Sequence, residues 1–181
     1  LAHDSLEARW WEGRQSVDLG GAEIRTLGPE RSLLHLCMHG AKHSWARIGW
    51  LCDLQRSLQR FDDADWGLVW RMAGQNGAVR MVSVGLILVN ELLDGSTCAS
   101  RAFALRQPDR VSRDLATRIR DRLLHSPDVV PEIDFAVQIQ LRHRARDRVR
   151  NALPILVAPL PPEVPAPPSP RPFPGAAPVP R

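Results

Sequence analysis

The sequence predicts a mainly α protein, a helical bundle preceded by a short β-hairpin. Apolar residues recur at steps of three and four through most of the stretch from Pro29 to Leu153. A Gly20-Gly21 pair separates two short segments in which polar and apolar residues alternate. Of the 16 prolines, 12 lie from Pro154 onward, so the middle of the chain is nearly free of helix breakers. A hydrophobic fraction of 44% and a charged fraction of 24% are those of a globular protein.

Asp4 to Trp11 reads as a short helix or turn that buries Trp10-Trp11. Ser16 to Thr26 alternates around the glycine pair, with Val17, Leu19, Ala22 and Ile24 as its apolar members, and predicts two strands joined by a tight turn. Pro29-Glu30 opens the first long helix, with proline early and an acid at the positive end of the dipole. Leu33, Leu34, Cys37 and Ala41 form its buried stripe, and it runs to His43 or Trp45. A second helix covers Ala46 to Gln59, with Ile48, Leu51, Cys52, Leu54 and Leu58 on one side and Arg47, Arg56 and Arg60 on the other. Asp62-Asp63-Ala64-Asp65 caps a third helix that ends near Gly77. Val79 to Leu93 is a fourth and strongly apolar helix, stopped by Asp94-Gly95. Arginine-studded helices follow over Arg110–His125 and Pro131–Leu153. Four of the six tryptophans fall between Trp45 and Trp70, which places one compact packed region early in the chain.

No apolar run reaches the ~20 residues of a membrane span. Val82 to Val89 is interrupted by Ser83 and Gly85 and reads as a buried helix face, so no membrane partner is expected. Leu1-Ala2-His3-Asp4 lacks the basic and apolar regions of a signal peptide. Cys37, Cys52 and Cys98 are odd in number and lack metal-ligand spacing, which fits reduced core thiols in a cytoplasmic protein. Lys42 is the one lysine among 24 basic residues, a bias that a GC-rich genome explains. The formal charge of +4 does not by itself indicate nucleic-acid binding. The tail from Pro154 to Arg181 is too proline-dense to fold alone; it predicts PPII or disorder, with a ligand for an SH3-like partner as the alternative.

His35, His39, Lys42 and His43 share one helix face, because they are related by steps of three and four. The ordinary role of such a face is a solvated polar surface opposite the leucines. Zinc is one sharper alternative, since His at i and i+4 can reach one metal. However, Gly40 stands where a metalloprotease places its Glu, no third ligand is near in sequence, and Lys42 repels a cation. Phosphate suits the residues better: Lys42 is a mobile point charge, and His39 and His43 can donate hydrogen bonds or orient the ligand. Gly40 leaves room for a ligand or a helix to approach that turn. Trp45 adds an aromatic surface and Arg47 a forked donor. Asp53, on the next helix, is within reach to pair with Lys42, Arg47 or Arg56 in a structural role.

From Thr26 to Leu54 the sequence resembles the central signature of a bacterial family of uncharacterised nucleotidyltransferases. That signature is a TL-x-PE opening followed by L-x-HGxKH-x-W-x-RL-x-WL-x-D. Thr26, Leu27, Pro29, Glu30, His39, Gly40, Lys42, His43, Trp45, Arg47, Trp50, Leu51 and Asp53 match it, and Ile48 replaces a leucine. The likeness extends through Asp65-Trp66 and the fourth helix, and weakly to Leu141-Arg142-His143-Arg144.

Such proteins are similar to the polymerase-β-like nucleotidyltransferases. The resemblance therefore implies the C-terminal portion of an α+β nucleotidyltransferase-like fold. Residues 1–28 would be the end of the catalytic-type domain with its hairpin, 29–153 a helical domain, and 154–181 the tail. It also implies a nucleoside triphosphate as substrate, an unknown acceptor, and Mg²⁺ held by a strand-borne carboxylate pair. No Asp-x-Asp follows Gly20-Gly21 at a useful distance, and Asp63-x-Asp65 caps a helix instead of lying on an apolar strand. The catalytic half is thus expected upstream of Leu1, with no catalytic residue in this chain, which would then be inactive alone and is not expected to bind Mg²⁺ or a nucleoside triphosphate tightly. The proline tract departs from the family pattern, as a shifted reading frame or a genuine linker would make it. The alternative function is an interaction module. Its basic helices, Arg113 to Arg122 and Arg142 to Arg150, would bind nucleic acid or an acidic protein.

Overall fold

A computed structural model of the chain describes residues 11, 13–93, 96–125 and 135–142. Residues 4–10 of the first predicted segment, the Asp94-Gly95 stop, most of the last helix and the proline tail lie outside those residues; Trp11, expected to be buried, is exposed. Strands β1 (Gln15–Leu19) and β2 (Ala22–Thr26) form an antiparallel hairpin in which Val17 opposes Ile24 and Leu19 opposes Ala22. Gly20 and Gly21 have φ of +65° and +90°, the positive pair that a two-residue hairpin turn requires. Asp18 Oδ1 accepts from Gly21 N at 2.8 Å and closes the turn.

Among the described residues seven helices follow: α1 Pro29–Lys42, α2 Ile48–Arg60, α3 Trp66–Gln75, α4 Val79–Leu92, α5 Ser96–Leu105, α6 Arg110–His125 and α7 Phe135–Leu141. The mainly helical fold behind a hairpin is thus as the sequence predicts. Helix α5 was not predicted. Its inward face is built of alanines, Ala99 and Ala102, which carry too little apolar signal to mark a stripe.

Helix α4 is the centre of the molecule. It is buried from Met81 through Val89, as a helix apolar all round must be, and packs against α1, α2, α3, α5 and α6. Its one polar core residue, Ser83, returns its hydroxyl to Val79 O at 3.0 Å. Side chains then tie the periphery to this centre. Trp70 Nε1 on α3 donates to Ala102 O on α5 at 3.0 Å. Arg80 on α4 donates to Asp109 Oδ2 at 2.9 Å, ahead of α6, and to Gln140 O on α7 at 3.1 Å. Asp65 caps α3 by accepting from Leu68 N at 3.0 Å. Among the described residues no helix is long and apolar enough to cross a membrane.

Candidate functional site at the end of α1

The last turns of α1 bring the sequence-predicted residues together along one edge. The rings of His35 and His39 lie 6.1 Å apart, and those of His39 and His43 5.0 Å apart. Trp50 from α2 closes the row: His43 stacks on it at 4.9 Å with an interplanar angle of 29°, and His39 meets it edge-on at 5.8 Å. His35, His39, Lys42 and Arg47 are exposed, while His43 and Trp50 are half-buried.

Two candidates play a different part from the one their sequence suggests. Trp45 is fully buried and presents no aromatic surface to a ligand. Its indole crosses beneath Gly40, where an added Cβ would lie 2.3 Å from the ring, and beside Gly85, where a Cβ would lie 2.8 Å away. The room that Gly40 makes is therefore taken by a side chain of this same protein. The aromatic available at the site is Trp50, which belongs to the signature but was not singled out. Asp53 is exposed and forms no ion pair among the described residues, so the expected structural pairing is absent there.

The backbone of the turn is unusual. After Lys42 the chain reverses through Ser44 and Trp45 at φ of +51° and +53°, left-handed values that non-glycine residues adopt at a cost of about 1–3 kcal/mol each. Gly40 O accepts from Trp45 N at 2.8 Å and from His43 N at 3.2 Å, and Ala41 O accepts from Ser44 N at 2.9 Å. This reversal swings Trp45 into the core while leaving Lys42, His43 and Arg47 around one corner.

That corner is electropositive and uncompensated. Among the described residues no carboxylate pairs with Lys42 or Arg47. His43 is held below its ordinary pKa, first by partial burial and then by the neighbouring His39, Lys42 and Arg47, so its ring is neutral near pH 7. Helix α2 begins at the same corner. Its Arg47 N-cap gives no side-chain hydrogen bond, and its first turn carries no acid. First-turn amides left without a cap attract anions.

Other chemistry is weak. Among the described residues no three His, Cys, Asp or Glu side chains gather as a metal would need. Cys37 is buried, which pushes its thiol up to about 12 and removes it as a nucleophile. The arginines of α6 are largely engaged within the fold: Arg110 with Asp114, Arg118 with Gln140, Arg120 with Glu91 and Asp121, and Arg122 with Ser44 O. From the alternating arginine series, Arg142 alone falls within the described residues.

A sequence profile of a family described as uncharacterised nucleotidyltransferases matches residues 1–94, just over half of the chain. The matched segment holds the hairpin, α1, α2, α3 and α4, and so includes the whole basic corner. No curated protein and no solved structure matches the chain.

Proposed function

The chain belongs to the uncharacterised nucleotidyltransferase family, and from that premise we propose that the basic corner contacts the phosphates of a nucleoside triphosphate. In the reaction so read, an acceptor that the corner does not identify bonds to the α-phosphorus of the triphosphate, the α–β phosphoanhydride bond breaks, and pyrophosphate leaves. The observation that carries the reading is the exposed Lys42 and Arg47, without an ion pair among the described residues, beside the uncapped start of α2. Two full charges and the helix dipole there face solvent with no internal anion among the described residues, an arrangement that a phosphate completes.

Lys42 supplies a mobile point charge to a phosphate oxygen, and Arg47 a planar fork. His43 arrives neutral, so it can donate one hydrogen bond and take up a proton as phosphate charge approaches. His39 lies against both His43 and Trp50 and holds the His43 ring in place. Mg²⁺, which the family reading implies, needs oxygen ligands. The corner offers imidazoles and cations in their place, so these residues do not fit the metal, and no step is derived through it.

Equilibrium binding of ATP and of a single-stranded RNA, each at two salt concentrations, tests the reading. ATP is expected to bind, and Lys42→Ala to weaken it about tenfold or more, the scale of one charge-assisted hydrogen bond. Tight RNA binding that falls steeply with salt and ignores Lys42→Ala would replace this reading with an arginine-rich interaction module.

A further inference from the structure

We infer that Gln138 and Arg122 are positioning residues for the basic corner, holding the turn that carries Lys42 and His43. The inference deepens the phosphate reading and rests on it. Both residues lie beyond residue 94, where the family match ends.

The end of α1 leaves carbonyls without helical partners, as any helix end does. Ala41 and Ser44 are buried, Ser44 to 1% exposure, so their polar groups are screened from water, while the Lys42 carbonyl lies at the exposed edge. Gln138 Nε2 on α7 lies 2.5 Å from Ala41 O, 2.8 Å from Lys42 O and 3.1 Å from Ser44 Oγ. From α6, the Arg122 guanidinium donates to Ser44 O. The two N–H hydrogens of the Gln138 amide are shared among Ala41 O, Lys42 O and Ser44 Oγ, and the Arg122 guanidinium takes Ser44 O, so the clip ends on the first of the two left-handed residues. Left-handed φ at two successive non-glycine residues persists only where the surroundings hold it.

Helix α7 is itself fixed from two sides, which makes it a firm anchor. Arg80 donates to Gln140 O at 3.1 Å and Arg118 to Gln140 Oε1 at 2.5 Å. The path from anchor to site is short: Gln138 holds the carbonyl of Lys42 itself, and His43 lies between Lys42 and the clipped Ser44. Releasing the clip frees the Lys42 ammonium and the His43 ring from the geometry that His39 and Trp50 otherwise define.

The test compares Gln138→Ala with Gln140→Ala in the full chain. The second variant removes a tie of the same helix without touching α1. Three quantities are read: amide hydrogen exchange at Ser44 and Trp45, the NMR titration of His43, and the affinity for inorganic triphosphate. Gln138→Ala is expected to speed exchange at Ser44 and Trp45 while α4 stays protected, and to shift His43 back toward the ordinary histidine value. It is also expected to weaken triphosphate binding about five- to tenfold, the range set by one or two lost hydrogen bonds. Gln140→Ala leaves all three in place. Gln138→Met keeps the length and loses the donor without adding charge, so it replaces Gln138→Ala if that variant does not fold, with the same expected outcome. A lower melting temperature with an unchanged His43 titration and unchanged triphosphate affinity overturns the proposal and leaves Gln138 a structural residue. If the unaltered chain does not bind triphosphate, the phosphate reading fails by itself; exchange and titration then decide the positioning role alone.

Discussion

Gly40 and Trp45 act as one unit, because the Trp45 indole fills the space that a Cβ on residue 40 would occupy. Steps of three and four put His35, His39 and His43 on one stripe, and the ring contacts follow from that periodicity. The left-handed reversal at Ser44 and Trp45 has no such signature, because neither residue is a glycine. Trp45, three residues after Lys42, therefore reads as a ligand surface from its neighbours, yet it lies in the core, as its place among the clustered tryptophans suggests. Gly40→Ala places a Cβ 2.3 Å from the indole, and it is expected to destabilise the fold by about 3 kcal/mol in chemical denaturation, on the scale of core overpacking. His43 gives a second prediction at this scale. Its folded pKa lies below the ordinary 6.5, so the unfolded chain binds more protons in the window between the two values. The contribution of this group to stability is thus complete above that window and falls as pH drops through it. A bound phosphate acts in the opposite direction and raises the His43 pKa, so triphosphate affinity is expected to increase from pH 7.5 to 6. The ligand's own protonation is common to both proteins, and the excess of wild type over His43→Gln in calorimetry isolates the ring.

Elements were legible where chemistry punctuates the chain. Gly20-Gly21 marks the hairpin turn, Pro29 the start of α1, and Arg110 to His125 is helical over the span that its pattern predicts. Helix α2 begins at Ile48, two residues after the predicted Ala46, because the chain needs Ser44 to Arg47 to reverse and re-enter. Helix α5 was missed because alanine is a good helix former but a faint marker of a buried face. The start of α6 carries its own prediction. Asp109 Oδ1 accepts from Ser112 N at 2.8 Å and from Ser112 Oγ at 2.6 Å, and Oδ2 accepts from Arg80. Burial acts to raise its pKa, but these bonds from Ser112 and Arg80 outweigh it and hold the carboxyl below the usual range. The resulting stabilisation is present above the unfolded value of about 3.9 and is lost as pH falls through the folded one. Asp109→Ala is expected to cost about 1–2 kcal/mol at pH 7, the range for a lost helix cap, and the deficit shrinks in acid.

Across the whole molecule, the family signature and the later helices meet at one corner. The sequence made the first half readable through thirteen matched positions, among them His39, Gly40, Lys42 and His43. It carried no sign that Gln138 belongs with them, because a contact spanning 97 positions leaves no local pattern. The fold therefore places the charged groups on α1 and α2, and their support on α6 and α7. That division predicts that losing α7 harms the corner before it harms the core around α4. The most direct measurement of the central claim is a backbone and side-chain NMR titration of the chain with inorganic triphosphate. Shifts are expected to concentrate at Lys42, His43, Arg47, the first amides of α2 and the Trp50 indole, and to need about tenfold more triphosphate or above in Lys42→Ala. Saturable shifts centred on the arginines of α6, with the corner unmoved, would contradict the account.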